Sequence, residues 1–395
     1  MALNRPLSDR REIRVHPSLS GEVRKFGKFG EVCYSCGTCT LTCDLTTDAT
    51  PFPRRPVQFA VLGLKDPLLE SLEPWLCHDC GDCSEKCPQQ AGPRESMATL
   101  RRYLTAQYDW TGLSAKIFTS RGWAIGAPAF AGFLVVLLAA AYHILYAGMP
   151  FSEIVSTAMG LEHMFGKITW FTLAVIFLPL AVLLSNAARM HRFTMGRGQA
   201  AGISLSVYLS EAGAALRYAF TQDRIAKCPG ESFKSRRVKH SALFAGGLLM
   251  FVLLAFFLRF FQTDAIHPFY HPQRWLGYIV TVLLVYGSLE ILSGRIRKKE
   301  EIHKHSEFCD YSLPVLILLA AATGIAVHIL RYSGLAFAAH YAYLVHLVVS
   351  VPILVVELPF GKLSHMAYRP LAVYLQAVKD KAIFLQVAEE KREAA

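Results

Sequence analysis

Eight of the ten cysteines in this 395-residue chain stand in two runs of one spacing, C-x2-C-x2-C-x3-C: Cys33, Cys36, Cys39 and Cys43, then Cys77, Cys80, Cys83 and Cys87. Two-residue gaps let one tight loop turn three thiolates onto one face of an iron–sulfur cubane, and in paired runs of this kind the fourth cysteine of each serves the other cluster. The spacing therefore predicts one [4Fe–4S] cluster on Cys33, Cys36, Cys39 and Cys87, and a second on Cys77, Cys80, Cys83 and Cys43. A zinc site needs four ligands and gives no reason for the third C-x2 step, and a disulfide framework belongs to oxidising compartments. Pro88 follows the second run, whereas Asp44 follows the first. Cys228 and Cys309 stand apart and carry no predicted ligand role.

A second set of candidate ligands lies in apolar sequence. Ionisable side chains at membrane depth are functional candidates. His143, His240, His328 and His346 fall within or at the ends of long apolar segments, and His365 lies just past the last. Haem b is held by paired imidazoles from two helices, so partners must match in depth. His346 and His365 are nineteen residues apart, or about 28 Å along a continuous helix, too far for one haem. His240 matches His365 in depth, and this pair is predicted to hold haem iron near the inner face. His346 is the candidate ligand near the outer face. Both His143 and His328 match its depth, Met250 is a more remote thioether alternative, and spacing does not choose among them. Glu290 and Glu357 are candidates for proton exchange with a quinone or for ion pairs with neighbouring cations.

The elements that must position these residues are helical. With 53% hydrophobic and 18% charged residues the chain is too apolar for an ordinary soluble protein. A helical span needs about 20 mostly apolar residues, and six segments qualify: Trp123–Tyr146, Ile168–Ala188, Ser241–Phe261, Trp275–Leu292, Tyr311–Leu330 and Tyr341–Leu358. Lys and Arg crowd the segments between spans two and three and between four and five, while 148–166 has none, which predicts both termini on the cytoplasmic side. The polar N-terminus has no signal-peptide pattern and is expected to stay there. Basic loops account for the net charge of +11 without nucleic acid. Ile203–Phe220 alternates Leu205, Leu209, Leu216 and Phe220 with polar residues, as a helix at the inner surface or under the head would. The expected fold class is mainly α, a small two-cluster head plus a six-helix transmembrane bundle. The expected domains are 1–115 (head), 116–365 (membrane, with 189–239 a basic inner loop) and a tail, 366–395.

The stretch Cys33-Tyr34-Ser35-Cys36-Gly37-Thr38-Cys39, with Trp75-Leu76-Cys77, resembles the C subunit of heterodisulfide reductase, a ferredoxin-type module. His346-Leu347-Val348 and Leu358-Pro359-Phe360-Gly361-Lys362-Leu363-Ser364-His365 resemble the last helix of the respiratory nitrate reductase gamma subunit, whose equivalent histidines are haem ligands. Arg237-Val238-Lys239-His240 with Leu243-Phe244-Ala245-Gly246 resembles the start of its ligand-bearing second helix. Fusion of the two modules resembles the C subunit of the quinone-interacting membrane-bound oxidoreductase of sulfate reducers. Met250 stands where that ligand helix has a second histidine. The final histidines are one residue further apart than in the nitrate reductase protein, an offset that kinks at Pro352 and Pro359 would absorb.

The resemblance implies two flavin- and iron–sulfur-bearing cytoplasmic partner subunits, and electron exchange between menaquinone and adenylylsulfate reductase. Menaquinol is then expected to give up two electrons singly, with no side chain as a covalent catalyst. Two readings compete. A fused heterodisulfide-reductase-type subunit has the same chemistry and another acceptor; a haem-free anchor for the head predicts that His240→Ala and His365→Ala leave the visible spectrum unchanged. The spans lack the inverted repeat and paired broken helices of a transporter.

Overall fold

The computed structural model describes residues 14–30, 32–47, 50–141, 144, 161–196, 202–222, 231–257, 265–298 and 301–393. Among these residues the chain is helical with no strand. It divides into two compact units: residues 1–107, 190–215 and 371–395 form one, and 108–189 with 216–370 form the other.

The first unit is built around Pro93–Tyr108, sixteen residues that begin with a proline, where the missing amide costs a helix nothing. Its Met97, Leu100 and Leu104 are fully buried and Tyr103 nearly so. The ring of Phe26 meets Tyr103 edge-on at 5.6 Å. Three polar contacts tie the same helix to the segment before the first cysteine: Arg102 to Phe26 O (3.0 Å), Thr99 Oγ1 to Lys28 O (2.7 Å) and the Gly30 amide to Ser96 Oγ (3.0 Å). Gly30 must be glycine here, because a Cβ would run into the Ala91 carbonyl. Short helices Leu19–Arg24, Arg54–Val61 and Lys65–Glu70 fill the rest of this core with Leu19, Val57 and Leu68.

The second unit carries helices long and apolar enough to cross a membrane. Among the described residues six candidate spans are found: Arg121–Ala141, Trp170–Met195, Arg237–Phe256, Pro272–Arg297, Cys309–Tyr332 and Ala336–Glu357. Each overlaps a segment expected from sequence. Third packs on fourth, fourth on fifth, fifth on sixth, and sixth on first. Small residues let backbones approach, as membrane helix pairs require. A Cβ on Gly287 would meet Leu243 at 2.7 Å, and one on Gly132 would meet the Val348 carbonyl at 2.9 Å.

The sixth span does not run on as one helix. Ala336–Pro352 passes into a π-helical turn, Ile353–Glu357, then bends at 358–361 into the 3-10 turn Lys362–Ser364. His365 then opens a new 29-residue helix, His365–Glu393. The depth of His365 relative to His346 therefore cannot be counted at a constant rise. Residues 366–393, read from sequence as a tail, are helical.

Candidate cofactor sites

The two cysteine loops share one backbone design. The residue before the second cysteine is left-handed in both, Ser35 at φ 59 and Asp79 at φ 64, and so is the glycine after it, Gly37 at φ 86 and Gly81 at φ 100. Each glycine caps the short helix that carries the third cysteine, Thr38–Thr42 in the first loop and Asp82–Glu85 in the second. Glycine accepts that conformation without steric cost, and the repeated turn keeps three thiols of a run on one loop. The two short helices pack against each other.

Neighbouring helices fasten both loops. Arg54 reaches Ser35 O at 3.3 Å in the first. In the second, Asp79 is paired with Arg94 at 2.8 Å and Arg101 at 3.2 Å, both from Pro93–Tyr108. Ser84 donates to Glu95 at 2.7 Å.

This arrangement brings the fourth cysteine of each run to the other run. Cys87 lines one cavity with Cys33, Cys36 and Cys39. Cys43 lies within electrostatic reach of Cys77 and Cys80, and Cys83 feels Cys77, Cys80 and Cys43. Burial pushes the Cys43 thiol up to about 12 and raises Cys83 further, while Thr38 lowers the exposed Cys36. Buried thiols that are protonated at neutral pH become ligands only when an incoming metal displaces their protons to solvent. Backbone amides already point at sulfur, Asp79 N–H at Cys77 and Ala91 N–H at Cys87, each 3.4 Å away. Such donors stabilise negative charge on ligating sulfur and tune cluster potential. Among the described residues no three His, Cys, Asp or Glu side chains converge on a point that would hold a single metal ion. Four cysteines lining one cavity form a donor set that fits an iron–sulfur cubane.

The membrane domain brings His240 and His365 together, with ring centroids 6.4 Å apart. Their hydrogen bonds fix the tautomers. His365 Nδ1 contacts the Lys362 carbonyl, which only accepts, so Nδ1 carries the proton. His240 Nδ1 lies 2.9 Å from Gln222 Oε1, which Ser241 Oγ also approaches at 3.1 Å. Each Nε2 thereby keeps its lone pair, and among the described residues no hydrogen bond reaches either atom. Burial, aided by the Arg369 cation, holds His365 down to about 3, so its ring is neutral at any physiological pH. Two metal–imidazole bonds of about 2 Å each plus two half-rings give a separation of this size. The residues fit a bis-histidine haem.

The other histidines stand apart from this pair. His346 places Nδ1 3.0 Å from Thr323 Oγ1. That hydroxyl also contacts the Leu319 and Ala320 carbonyls, so its proton is engaged and it accepts from His346. Gly324 leaves room for the His346 ring. His328 is bound differently: its Nε2 accepts from Arg274 at 3.0 Å and lies 3.1 Å from Tyr278 Oη. A guanidinium only donates, so this lone pair is taken. His143 lies outside the described residues. Glu290 pairs with Lys239 at 2.5 Å. Glu357, 2% exposed, accepts from Ser312 Oγ at 2.7 Å and from the Lys362 amide at 2.9 Å. It thereby caps the bend that delivers His365. Sequence reasoning missed Gln222, Thr323 and Lys362 as partners of candidate ligands. No motif marks Gln222 or Thr323, and Gln222 sits in a stretch read only for its charge; Lys362 stands in the stretch 358–365, read for its resemblance alone.

Comparison with known proteins bears on the head. The 4Fe-4S dicluster domain family matches residues 32–91. A protein of Archaeoglobus profundus that is itself like the C subunit of heterodisulfide reductase is 29% identical over 104 residues, 26% of this chain and 55% of that protein. The C2 subunit of the H2/formate:CoB-CoM heterodisulfide,ferredoxin reductase of Methanococcus maripaludis is 37% identical over 75 residues, 19% of this chain and 40% of the relative. A C-type iron-sulfur subunit of the CoB-CoM heterodisulfide reductase of Methanocaldococcus jannaschii is 37% identical over 71 residues, 18% and 38% of the two chains. The chain thus spans about half or less of the curated relatives it matches. No solved structure matches it. The chain carries an N-terminal 4Fe-4S dicluster domain similar to the C subunit of heterodisulfide reductases.

Proposed function

We propose that the chain is the membrane-bound electron-transfer subunit of a quinone-linked oxidoreductase, exchanging electrons between menaquinone and cytoplasmic flavin- and iron–sulfur-bearing partner subunits. One observation carries the reading. A dicluster domain shares its chain with a bundle of candidate membrane helices in which the rings of His240 and His365 lie 6.4 Å apart, each with its Nδ1 engaged by an acceptor. Cys33, Cys36, Cys39 and Cys87 would hold one [4Fe–4S] cluster, Cys77, Cys80, Cys83 and Cys43 the other, and His240 with His365 haem b. Bound there, these groups supply one-electron carriers.

The chain's own work is to hold and shield them. Buried cysteines would release their protons on binding iron, amide donors would offset the charge left on sulfur, and the Glu357-capped bend sets His365 near His240. A second haem at His346 would take His143 as its partner, since the His328 lone pair is engaged with Arg274. The resemblance to the C subunit of the quinone-interacting oxidoreductase supports adenylylsulfate reductase as distal partner, in dissimilatory sulfate reduction at the cell membrane. The relatives' own names favour a second reading, a fused heterodisulfide-reductase-type subunit. It differs in the partner and keeps the cofactors.

The test is purification with native partners, then haem by pyridine haemochrome with iron and acid-labile sulfide. One haem and about eight cluster irons per chain are expected, with haem lost in His365→Ala and retained in His346→Ala. A second haem would assign His346 a site; clusters without haem would leave a passive anchor. The co-purifying subunits separate the two readings.

A further inference from the structure

We propose that Gln222 is a positioning residue that fixes the His240 imidazole for metal ligation by accepting its Nδ1–H on Oε1. The inference rests on the haem reading above and deepens it. Gln222 directly follows the helix Leu205–Thr221, and its amide closes that helix on Tyr218 O at 2.9 Å. Its backbone is left-handed, φ 48, a conformation that favours glycine and that other residues hold only where the surroundings enforce it. The side chain is 4% exposed. A buried amide needs partners, and for Oε1 both come from the third span: His240 Nδ1 at 2.9 Å and Ser241 Oγ at 3.1 Å.

Oε1 only accepts, so the Ser241 hydroxyl and the His240 ring nitrogen both donate to it. The ring proton is then on Nδ1, and the Nε2 lone pair faces away from Gln222. A second fastening lies one turn earlier, where Arg237 Nε donates to Thr221 O at 2.9 Å. Residues 221 and 222 are thus bound to the face of the third span that presents His240.

Acceptors placed behind a ligating histidine orient its ring, fix its tautomer and raise its basicity. At His365 that task falls to the Lys362 carbonyl, which no substitution removes. Gln222 is the side chain through which the other half of the site can be altered.

The experiment uses the full chain in its native complex, comparing wild type with His240→Ala, Gln222→Leu and Gln222→Glu. Haem content, the low-temperature EPR signal of the ferric haem and a redox titration are read beside the iron–sulfur signals. His240→Ala is expected to lose the haem. Gln222→Leu should bind it about 10- to 100-fold more weakly, with shifted g-values and a raised midpoint potential. Gln222→Glu should keep the haem and lower the potential, because a carboxylate draws the Nδ1 proton more strongly and makes the imidazole a better donor.

If His240→Ala is haem-free while Gln222→Leu matches wild type in content, g-values and potential, the assignment is overturned and Gln222 only ends a helix. If His240→Ala keeps an unchanged haem, the haem reading falls and takes this inference with it. Should Gln222→Leu lose its iron–sulfur signals and misfold, the Gln222→Glu potential decides: a downward shift supports the assignment and an unchanged value overturns it.

Discussion

Cys43 and Cys87 each end one run and lie among the thiols of the other, and this crossing has a direct spectroscopic consequence. Cys43→Ser should perturb the same cluster as Cys77→Ser, and Cys87→Ser the same cluster as Cys33→Ser. EPR of the reduced protein, with the two signals separated by redox titration, checks the pairing; Cys43→Ser altering the Cys33 signal would refute it. Most of the cysteine site is legible in the sequence, because thiolate spacing is itself the loop geometry. Ser35 and Asp79 in left-handed conformation are not legible: neither residue type announces a positive φ, and each is held by partners from another helix, Arg54 for Ser35, Arg94 and Arg101 for Asp79. The histidines divide similarly. His240 and His365 could be paired by depth, but depth alone gave His346 two partners. His328 is committed by Arg274, which lies 54 positions away in sequence.

Helix packing decides whether His240 can reach its partner at all. The third span carries His240 at its start and crosses the fourth where Gly287 admits Leu243 and Gly246 admits Leu283. Gly287→Val should force these helices apart at a cost of about 1–3 kcal/mol, lowering the thermal midpoint in detergent and, with it, haem retention. Gly277, on the same helix with nothing within 4 Å of its Cβ position, supplies the control: Gly277→Val should change neither. Equal losses in both variants would mean that valine harms the helix itself rather than the crossing. The six spans were legible because a run of apolar residues is a complete statement about lipid. The break after Pro352 was only partly so. Proline predicts a kink, but the π-helical turn and the cap from Glu357 to the Lys362 amide depend on Ser312 from the fifth span, which holds the Glu357 carboxylate in place.

Charge distribution carries our proposal for the direction of the chain in a membrane. Ten Lys and Arg residues lie in 189–239 and five in 293–310, against none in 148–166. Translocating a loop so charged is disfavoured, and the bias in short loops sets orientation. With the six spans found among the described residues both termini share a side, and we propose from the charge bias that this side is the cytoplasm. The proposed cluster chemistry points the same way, since thiols stay reduced in the cytoplasm and not in an oxidising compartment. A fluorescent protein that matures only in the cytoplasm should therefore light up when fused after Ala395. Alkaline phosphatase, active only outside, should be active when inserted in 148–166 and silent in 293–310. The reverse pattern would place the clusters where partner subunits made in the cytoplasm cannot reach them, and the electron-transfer proposal would fail with the orientation. Neutralising Arg295, Arg297, Lys298 and Lys299 together weakens one of the two inner loops while leaving 189–239 intact. Because that longer basic segment still opposes inversion, the variant should keep its orientation, with a minor population at most exposing 293–310 to phosphatase assay.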